Sequence, residues 1–426
     1  MAWRRSPCLR CSRRSCDKAD PMRIAAFGKP LQTAFFQWGW LVVAVLPLAQ
    51  IGGRALYTVL VSLYALWGLP GLWSRRDRLD RATTGLYLLL LGVALYGLSG
   101  SVDPEGGLRV WVQFALQSMT LLLLQVALWE SSAQPDRLFA AFALCGTIHL
   151  LIMYAQLPYY ALGWSGEPFD PSSQLREDNL PFLLMFQLGW LWWRGGRRWR
   201  YAAMAAVTVA VLVYVVLSEG RAALLGMSVG LAVFGWVVLG WRLRWVIPVV
   251  ALIGAIAIAA NVGAFQKMAS GFANPLDAFT TGRSILWRQA LEHPPVRPWL
   301  GVGMGNESHM VEMLSFTVGG VPVQVKHLHN FLLDAWYETG ILGSGLLVIL
   351  IATALGRLLW IWQRLTTEDR QRSGVLLAAT LALMTSGLLS FSYTSRQLAC
   401  YLFVCLAGLI AFSGSPANGR TDPGRR

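Results

Sequence analysis

Two histidines open the stretch HLHNFLLDAWYETGILG, residues 327–343, which then becomes apolar enough to enter a membrane. The apolar run starts at Phe331, so we expect His329 and Asn330 at the mouth of a helix, with Asn330 as its cap. The positive end of a helix opposes protonation of His329 and favours neutral imidazole, the form that a general base requires. A histidine lying at the membrane surface without a catalytic role fits the position equally well.

Two arginines are candidates for binding an anionic group beside His329. Arg221, in SEGRAALLG, starts an apolar span, and Arg283, in TGRSILWRQALEH, starts a helical stretch of a long loop. A guanidinium can hold two phosphate oxygens at once, and helix N-termini also attract anions. Either arginine alone fits a residue that braces a loop, but the two beside a histidine favour a phosphate-rich substrate.

Two carboxylates follow the histidines on the same predicted helix. Asp334 and Glu338 are four residues apart and therefore share one helix face. A carboxylate within a membrane span is a functional candidate because it is costly to place there. Pairing with an arginine such as Arg396 or Arg221, which would hold the helices together, is the alternative, and for Asp334 it is slightly favoured.

The elements that position these residues are membrane spans. The chain is 55% hydrophobic and 14% charged, contains 20 tryptophans and has a mean hydropathy of +0.49. These values indicate an all-α polytopic membrane protein, since a helix of about 20 apolar residues crosses a bilayer. About twelve such windows occur, near residues 35–52, 55–73, 82–99, 110–129, 136–156, 179–193, 201–218, 222–241, 245–264, 330–362, 374–393 and 397–413.

Basic residues predict the orientation, because loops rich in Lys and Arg remain cytoplasmic. One topology places every strongly basic loop, such as SRRDRLDR and RGGRRWR, inside, with both termini cytoplasmic and the candidate residues on the outer face. The predicted division is a basic segment 1–34, helices 1–9 in 35–264, a large periplasmic loop 265–328, helices 10–12 in 329–413, and a tail 414–426.

Two classes of function are disfavoured. The formal net charge of +14 is explained by topology, so nucleic-acid binding is not expected. Cys8 and Cys11 have the spacing of a zinc-binding pair, but no second pair of ligands completes four-coordination, and no metal site or cofactor is predicted.

The histidine stretch resembles the signature of bacterial O-antigen ligases and related O-antigen polymerases. That signature is a His followed by Asn, Ser or Gln, then nine residues, Gly, two residues and Gly, which correspond here to His329, Asn330, Gly340 and Gly343. An acidic residue two positions before the first Gly is also common in the superfamily and corresponds to Glu338. The segments around Arg221 and Arg283, including the turn GVGMGN, are similar to the family's two arginine segments.

The resemblance implies a glycosyltransferase of the bacterial inner membrane. Relatives move a glycan from undecaprenyl pyrophosphate to an acceptor at the periplasmic face, without an obligatory metal. His329 would then be the base, and Arg221 and Arg283 would bind the pyrophosphate. Supporting roles are expected for Asn330, Glu338, Asp334, His327 and Arg176, although REDNLPFLL matches the family pattern around Arg176 only loosely.

The predicted reaction is inverting, metal-independent ligation of O-antigen to lipid A-core in lipopolysaccharide synthesis. Alternatives within the superfamily are an O-antigen polymerase, whose acceptor is a second lipid-linked glycan, and a protein O-oligosaccharyltransferase. A flippase or transporter of lipid-linked glycans is the alternative of another class, and it would place ionisable residues near mid-membrane rather than at one face.

Overall fold

The three-dimensional structure is a computed structural model. It describes residues 22–49, 53–130, 134–161, 177–194, 196, 199–218, 220–240, 277, 280, 282–306, 315–318, 321–324 and 327–414. Part of the predicted 265–328 loop, the whole predicted span 245–264, Arg176 and both chain ends lie outside these residues.

Helices dominate the described residues. In chain order they are α1 (Met22–Ala49), α2 (Gly53–Ser74), α3 (Arg81–Gly97), α4 (Pro104–Ser118), α5 (Thr120–Glu130), α6 (Gln134–Ala161), α7 (Leu180–Arg194), α8 (Arg200–Leu217), α9 (Arg221–Phe234), α10 (Arg283–Glu292), α11 (Phe331–Ile361), α12 (Thr367–Ser390) and α13 (Arg396–Gly414). A short antiparallel hairpin, β1 (Ser315–Val318) and β2 (Val321–Gln324), pairs Ser315 with Gln324 and Val318 with Val321.

The prediction of an all-α polytopic membrane protein is confirmed. Within the described ranges, nine helical segments are long and apolar enough to cross a membrane, and a shorter apolar helix covers Leu398–Ser413. The predicted number of about twelve is not confirmed. The window at 179–193 forms α7, which at 15 residues is short for a span.

The surface of the bundle is suited to lipid. Large apolar side chains point outward along the spans, for example Leu88, Leu151 and Trp236, each more than half exposed. Polar side chains such as Thr380 and Ser386 are buried instead. This distribution is the reverse of a water-soluble helix bundle and keeps polar groups away from the hydrocarbon.

The centre of the bundle is α13, in which every residue from 398 to 412 is buried. A helix that is apolar on all sides packs best when neighbours surround it. Aromatic contacts help to fix its position: the ring of Tyr401 in α13 stacks on that of Phe182 in α7, with ring centroids 4.7 Å apart. Because α13 is fixed, the loop that precedes it, residues 391–395, is held at one end of the bundle.

The starts of α9 and α11 and the end of α12 lie at the same end of the bundle. The hydroxyl of Ser386, near the end of α12, donates to the carbonyl of Ala222 at the start of α9, 3.2 Å away. At the other end of the bundle, Arg357 near the end of α11 pairs with Asp80 before α3. The side of the membrane on which each end lies, and the predicted division at residues 34, 264, 328 and 413, stay predictions.

Candidate functional site

Asn330 caps α11 as predicted. Its Oδ1 atom accepts hydrogen bonds from the backbone N–H groups of Leu332 and Leu333, at 3.1 and 3.2 Å. The cap satisfies two of the N–H groups that the first turn of a helix leaves without a partner. Because Asn330 fixes the start of α11, His329 is the residue directly before the cap.

His329 has a left-handed backbone conformation, with φ of 53°. Every other positive φ among the described residues belongs to a glycine. A side chain makes this conformation costly, so the surrounding contacts must hold it. The imidazole ring of His329 lies against that of His327, with a distance of 3.9 Å between the centroids.

One ring nitrogen of His329 is oriented by a carbonyl group. Nδ1 lies 3.3 Å from the carbonyl oxygen of Ser390, the last residue of α12. A carbonyl can only accept, so this contact is a hydrogen bond in the tautomer that carries its proton on Nδ1. That tautomer places the lone pair on Nε2, where a base needs it.

The turn between the two histidines is fixed through Leu328. Its backbone N–H donates to Oδ1 of Asp334 at 2.8 Å, and its carbonyl accepts from Nε1 of Trp287 at 2.9 Å. Asp334 is fully buried. Both peptide groups of Leu328 are therefore bonded, and Asp334 acts on the histidine turn through the backbone.

Trp287 also connects Arg283 to this turn. Arg283 is the first residue of α10 and follows Gly282, which adopts a φ of 80°. Trp287 is four residues further on, one helical turn away. The contact of Trp287 with Leu328 therefore brings the N-terminus of α10 next to the histidines.

Arg221 is brought to the same region through α12. It is the first residue of α9, and the carbonyl of the next residue, Ala222, accepts from Ser386. Ser386 lies one turn before Ser390, whose carbonyl contacts His329. The structure thus places the helix starts that carry Arg221 and Arg283 around His329, and both side chains are partly exposed.

The helix α11 is broken at Gly340, and the segment around the glycine turn GVGMGN forms backbone hydrogen bonds with the break. At Gly340 the backbone leaves the helical conformation, with φ of 66° and ψ of −168°. The carbonyls of Tyr337 and Glu338 accept from the N–H groups of Val302 and Gly303, at 3.0 and 2.9 Å. In return, the N–H of Ile341 donates to the carbonyl of Pro298 at 2.9 Å. The loop therefore replaces the hydrogen bonds that the break removes from the helix.

Glycine is required on both sides of this contact. A Cβ atom on Gly301 would lie 2.3 Å from the backbone carbon of Glu338, and one on Gly340 would lie 2.3 Å from that of Trp299. Gly301 also has a φ of 70°. The glycines of GVGMGN therefore form a turn whose backbone approaches that of α11 closely. We call this contact between residues 297–303 and the α11 break the glycine clasp.

Glu338 fastens the glycine clasp with its side chain. Oε1 accepts from the N–H of Gly305 at 2.8 Å, and Oε2 accepts from the hydroxyl of Tyr393 at 2.7 Å. Glu338 is 2% exposed. It therefore joins α11, the glycine turn and the loop before α13. That loop begins directly after Ser390, the residue whose carbonyl contacts His329.

The remaining candidates are placed only in part. Arg176 lies outside the described residues. The two residues after Glu177, Asp178 and Asn179, are buried, and a Cβ atom on Gly220 would lie 2.7 Å from Cγ of Glu177. The segment that follows Arg176 therefore packs against the start of α9.

Two contact residues were missed by the sequence reasoning. Ser390 orients His329, and Tyr393 binds Glu338. Their signal is the polar stretch SFSYTSR between two apolar helices, which is rich in hydroxyl side chains for a connection between spans.

The arrangement suits proton removal beside an anion-binding surface. It combines a base-competent imidazole with two arginines at helix N-termini, where the helix dipole adds to their charge. Among the residues that the structure describes, no group of three His, Cys, Asp or Glu side chains could hold a metal ion.

Comparisons with known proteins point to glycan-processing membrane proteins. Residues 206–348 match the family model described as O-antigen ligase. The chain is also similar to the exopolysaccharide production protein ExoQ of Rhizobium meliloti (strain 1021), with 32% identity over 147 residues. That match covers 32% of this chain and 30% of the length of the relative. Both matches support membership of one superfamily of membrane enzymes, the O-antigen ligases and polymerases.

Proposed function

We propose that this chain, a member of the O-antigen ligase/polymerase superfamily, is a glycosyltransferase that moves a glycan from undecaprenyl pyrophosphate to lipid A-core. The reaction would take place at the periplasmic face of the bacterial inner membrane. The observation that carries the proposal is the imidazole of His329, oriented by the Ser390 carbonyl between the helix starts of Arg221 and Arg283.

The chemical step is an inverting displacement. Nε2 of His329 takes the proton of an acceptor sugar hydroxyl while the oxygen of that hydroxyl attacks the anomeric carbon of the donor glycan. The bond from that carbon to the pyrophosphate oxygen breaks, and the electron pair leaves with the lipid pyrophosphate. The imidazolium then returns its proton to solvent or to the departing phosphate.

Stabilising the leaving group is the larger demand on the site. Negative charge grows on the bridging oxygen as the bond breaks. Hydrogen-bond donors that are already positioned around this oxygen lower the activation barrier of the transfer most. Arg221 and Arg283 supply permanent charge and paired donors, and the N-termini of α9 and α10 add backbone N–H groups. No divalent cation is assigned a role in this scheme.

A second acceptor is favoured by one comparison. The similar region of ExoQ belongs to a protein named for exopolysaccharide production. Polymer growth would use a second lipid-linked glycan as the acceptor in place of lipid A-core, with the same donor chemistry. A protein acceptor, as in O-oligosaccharyltransferases, is the third possibility within the superfamily.

An acceptor assay tests the proposal. Purified protein receives one undecaprenyl pyrophosphate glycan as donor and, in separate reactions, lipid A-core, a second lipid-linked glycan or a pilin-like protein. We expect the glycan on lipid A-core. Product on the second lipid-linked glycan would make the chain a polymerase. Movement of the donor across a vesicle membrane without any glycosidic product would instead identify a transporter.

A further inference from the structure

A cleft opens at the end of the bundle opposite His329. It has a volume of about 740 Å³ and lies between the α2–α3 connection, α5 and the last turns of α11 and α13. Arg357 of the cleft is 28 residues beyond His329, about 40 Å along a helix. The cleft is therefore independent of the candidate active site.

A buried amide points to a missing hydrogen-bond acceptor in this cleft. Gln125 lines the cleft and is fully buried. Its Oε1 atom faces the backbone N–H of Asp80 at 3.2 Å, and because that group can only donate, the assignment of oxygen and nitrogen is fixed. Nε2 of Gln125 has no hydrogen-bond partner among the described residues. A buried N–H donor without a partner is costly, so a ligand with an acceptor oxygen fits here.

The charged side chains of the cleft balance one another. Arg357 pairs with Asp80, and Nε of Arg78 lies 3.6 Å from a carboxylate oxygen of Asp77. Two arginines and two aspartates give no net charge. The cleft therefore offers donors for an anion and acceptors for a cation, which suits a ligand that carries both charges.

Asp80 keeps its charge at neutral pH. Burial alone would raise the pKa of this carboxyl, but hydrogen bonds from the N–H and hydroxyl of Thr83 and the pairing with Arg357 hold it below its ordinary value. The guanidinium of Arg357 has five N–H donors, and its side chain is 41% exposed. Pairing with one carboxylate oxygen leaves donor capacity on the exposed side of the guanidinium.

The position of the cleft indicates a lipid. Two spans end beside it, at Ser74 and Arg364, and the tryptophans Trp73 and Trp360 are 75% and 78% exposed there. Exposed tryptophans mark the boundary between hydrocarbon and headgroups. Gly356 of α11, next to Arg357, leaves open space on this side of the cleft, since a Cβ atom there would meet nothing within 4 Å. A headgroup can thus enter the cleft while its acyl chains remain beside the helices.

We propose that this cleft binds the headgroup of a zwitterionic aminophospholipid, phosphatidylethanolamine. The phosphodiester oxygens accept from Nε2 of Gln125 and from Arg357, and the ammonium group lies toward Asp77. Basic pockets between spans bind anionic headgroups, whereas this one is neutral and provides hydrogen-bond acceptors for an N–H cation. The choline group of phosphatidylcholine has no N–H to donate, and phosphatidylglycerol has no cation.

Delipidated full-length protein in detergent provides the test. Phosphatidylethanolamine, phosphatidylglycerol, phosphatidylcholine and inorganic phosphate are titrated separately, and the melting temperature and the lipid retained in native mass spectrometry are recorded. We expect saturable retention and a raised melting temperature with phosphatidylethanolamine alone. Equal effects of the three lipids, a preference for phosphatidylglycerol, or an effect of inorganic phosphate equal to that of phosphatidylethanolamine would overturn the proposal.

Two variants and one control locate the effect. Gly356→Leu fills the cleft from an exposed helical position and should weaken phosphatidylethanolamine binding roughly tenfold or more, as should Gln125→Leu, which removes the amide donor. Gly92→Leu is the matched control, because it is also an exposed helical glycine with nothing within 4 Å of a Cβ atom, on α3. Unchanged binding in Gly356→Leu, or an equal loss in Gly92→Leu, would contradict a site in this cleft.

Discussion

At the scale of single residues, the two histidines differ in how they are held. His329 has the left-handed backbone, the Nδ1 contact with the Ser390 carbonyl and the position before the helix cap. His327 lies against its ring, with 3.9 Å between the centroids. These contacts fix the orientation of the His329 imidazole, and His327 is its neighbour.

The two imidazoles can therefore be separated by mutation. His329→Ala should abolish glycan transfer while leaving protein level and donor binding largely intact, because the imidazole removes a proton only in the chemical step. His327→Ala should retain measurable transfer. Initial rates with a defined lipid-linked donor, together with donor binding, make the comparison. An equal loss in both variants would mean that the pair acts together or that the base is assigned to the wrong ring.

The two arginines differ from lysine in geometry as well as charge. Arg221→Lys and Arg283→Lys keep the charge but lose the planar fork that holds two oxygens. Each should lower turnover on the order of 100-fold, by analogy with removal of one preorganised oxyanion donor. Turnover per folded molecule and a melting curve are measured for both. Near wild-type turnover in both variants, or loss of melting temperature without loss of turnover, would assign the arginines a bracing role.

At the scale of elements, the glycine clasp decides the shape of α11. The helix is broken within an apolar segment, where unpaired backbone groups are most costly, and the loop 297–303 supplies the missing partners. Glu338 and Tyr393 add a side-chain connection to the same place. The end of α11 that carries the candidate site is thereby separated from the long apolar part that follows it.

Gly340 should accept no side chain. Its φ and ψ fall in a region that is nearly confined to glycine, and a Cβ atom would strike the backbone of Trp299. Gly340→Ala should lower stability by more than about 3 kcal/mol and abolish activity, as seen in yield and melting temperature. The matched control is Gly345→Ala in the same helix, where a Cβ atom would meet nothing within 4 Å. It should be neutral or stabilise by up to about 1 kcal/mol, and a similar fall in both variants would remove the special role of the break.

At the scale of the whole molecule, the two ends of the bundle carry different chemistry. The candidate site lies at one end, and the cleft proposed to bind a lipid headgroup lies at the other, with the ion pairs of Arg357 and Arg372. The orientation predicted from basic loops places the first end outside. This arrangement would separate the donor chemistry from the cytoplasm.

Surface labelling tests that orientation. In a variant whose Cys8, Cys11 and Cys16 are replaced by serine, a cysteine at Val296, which is 94% exposed, should react with a membrane-impermeant thiol reagent in intact spheroplasts. A cysteine at the exposed Gln363, between α11 and α12, should react only after lysis. The reverse pattern would invert the topology and move the candidate site to the cytoplasmic face.

The sequence by itself determined the membrane class, most of the spans, the cap at Asn330 and the set of candidate residues. These features depend on local composition and spacing: runs of apolar residues, an Asn before a helix, and His, Arg and Glu at fixed distances. Only the tertiary structure decided how they meet. The contact of His329 with Ser390, the clasp at Gly340 and the Tyr393–Glu338 bond join residues 35 to 61 positions apart. Such contacts depend on how helices pack, which no local pattern records. Among the described residues, α7 does not reach the length of a span, and it is held by burial among its neighbours rather than by its own length.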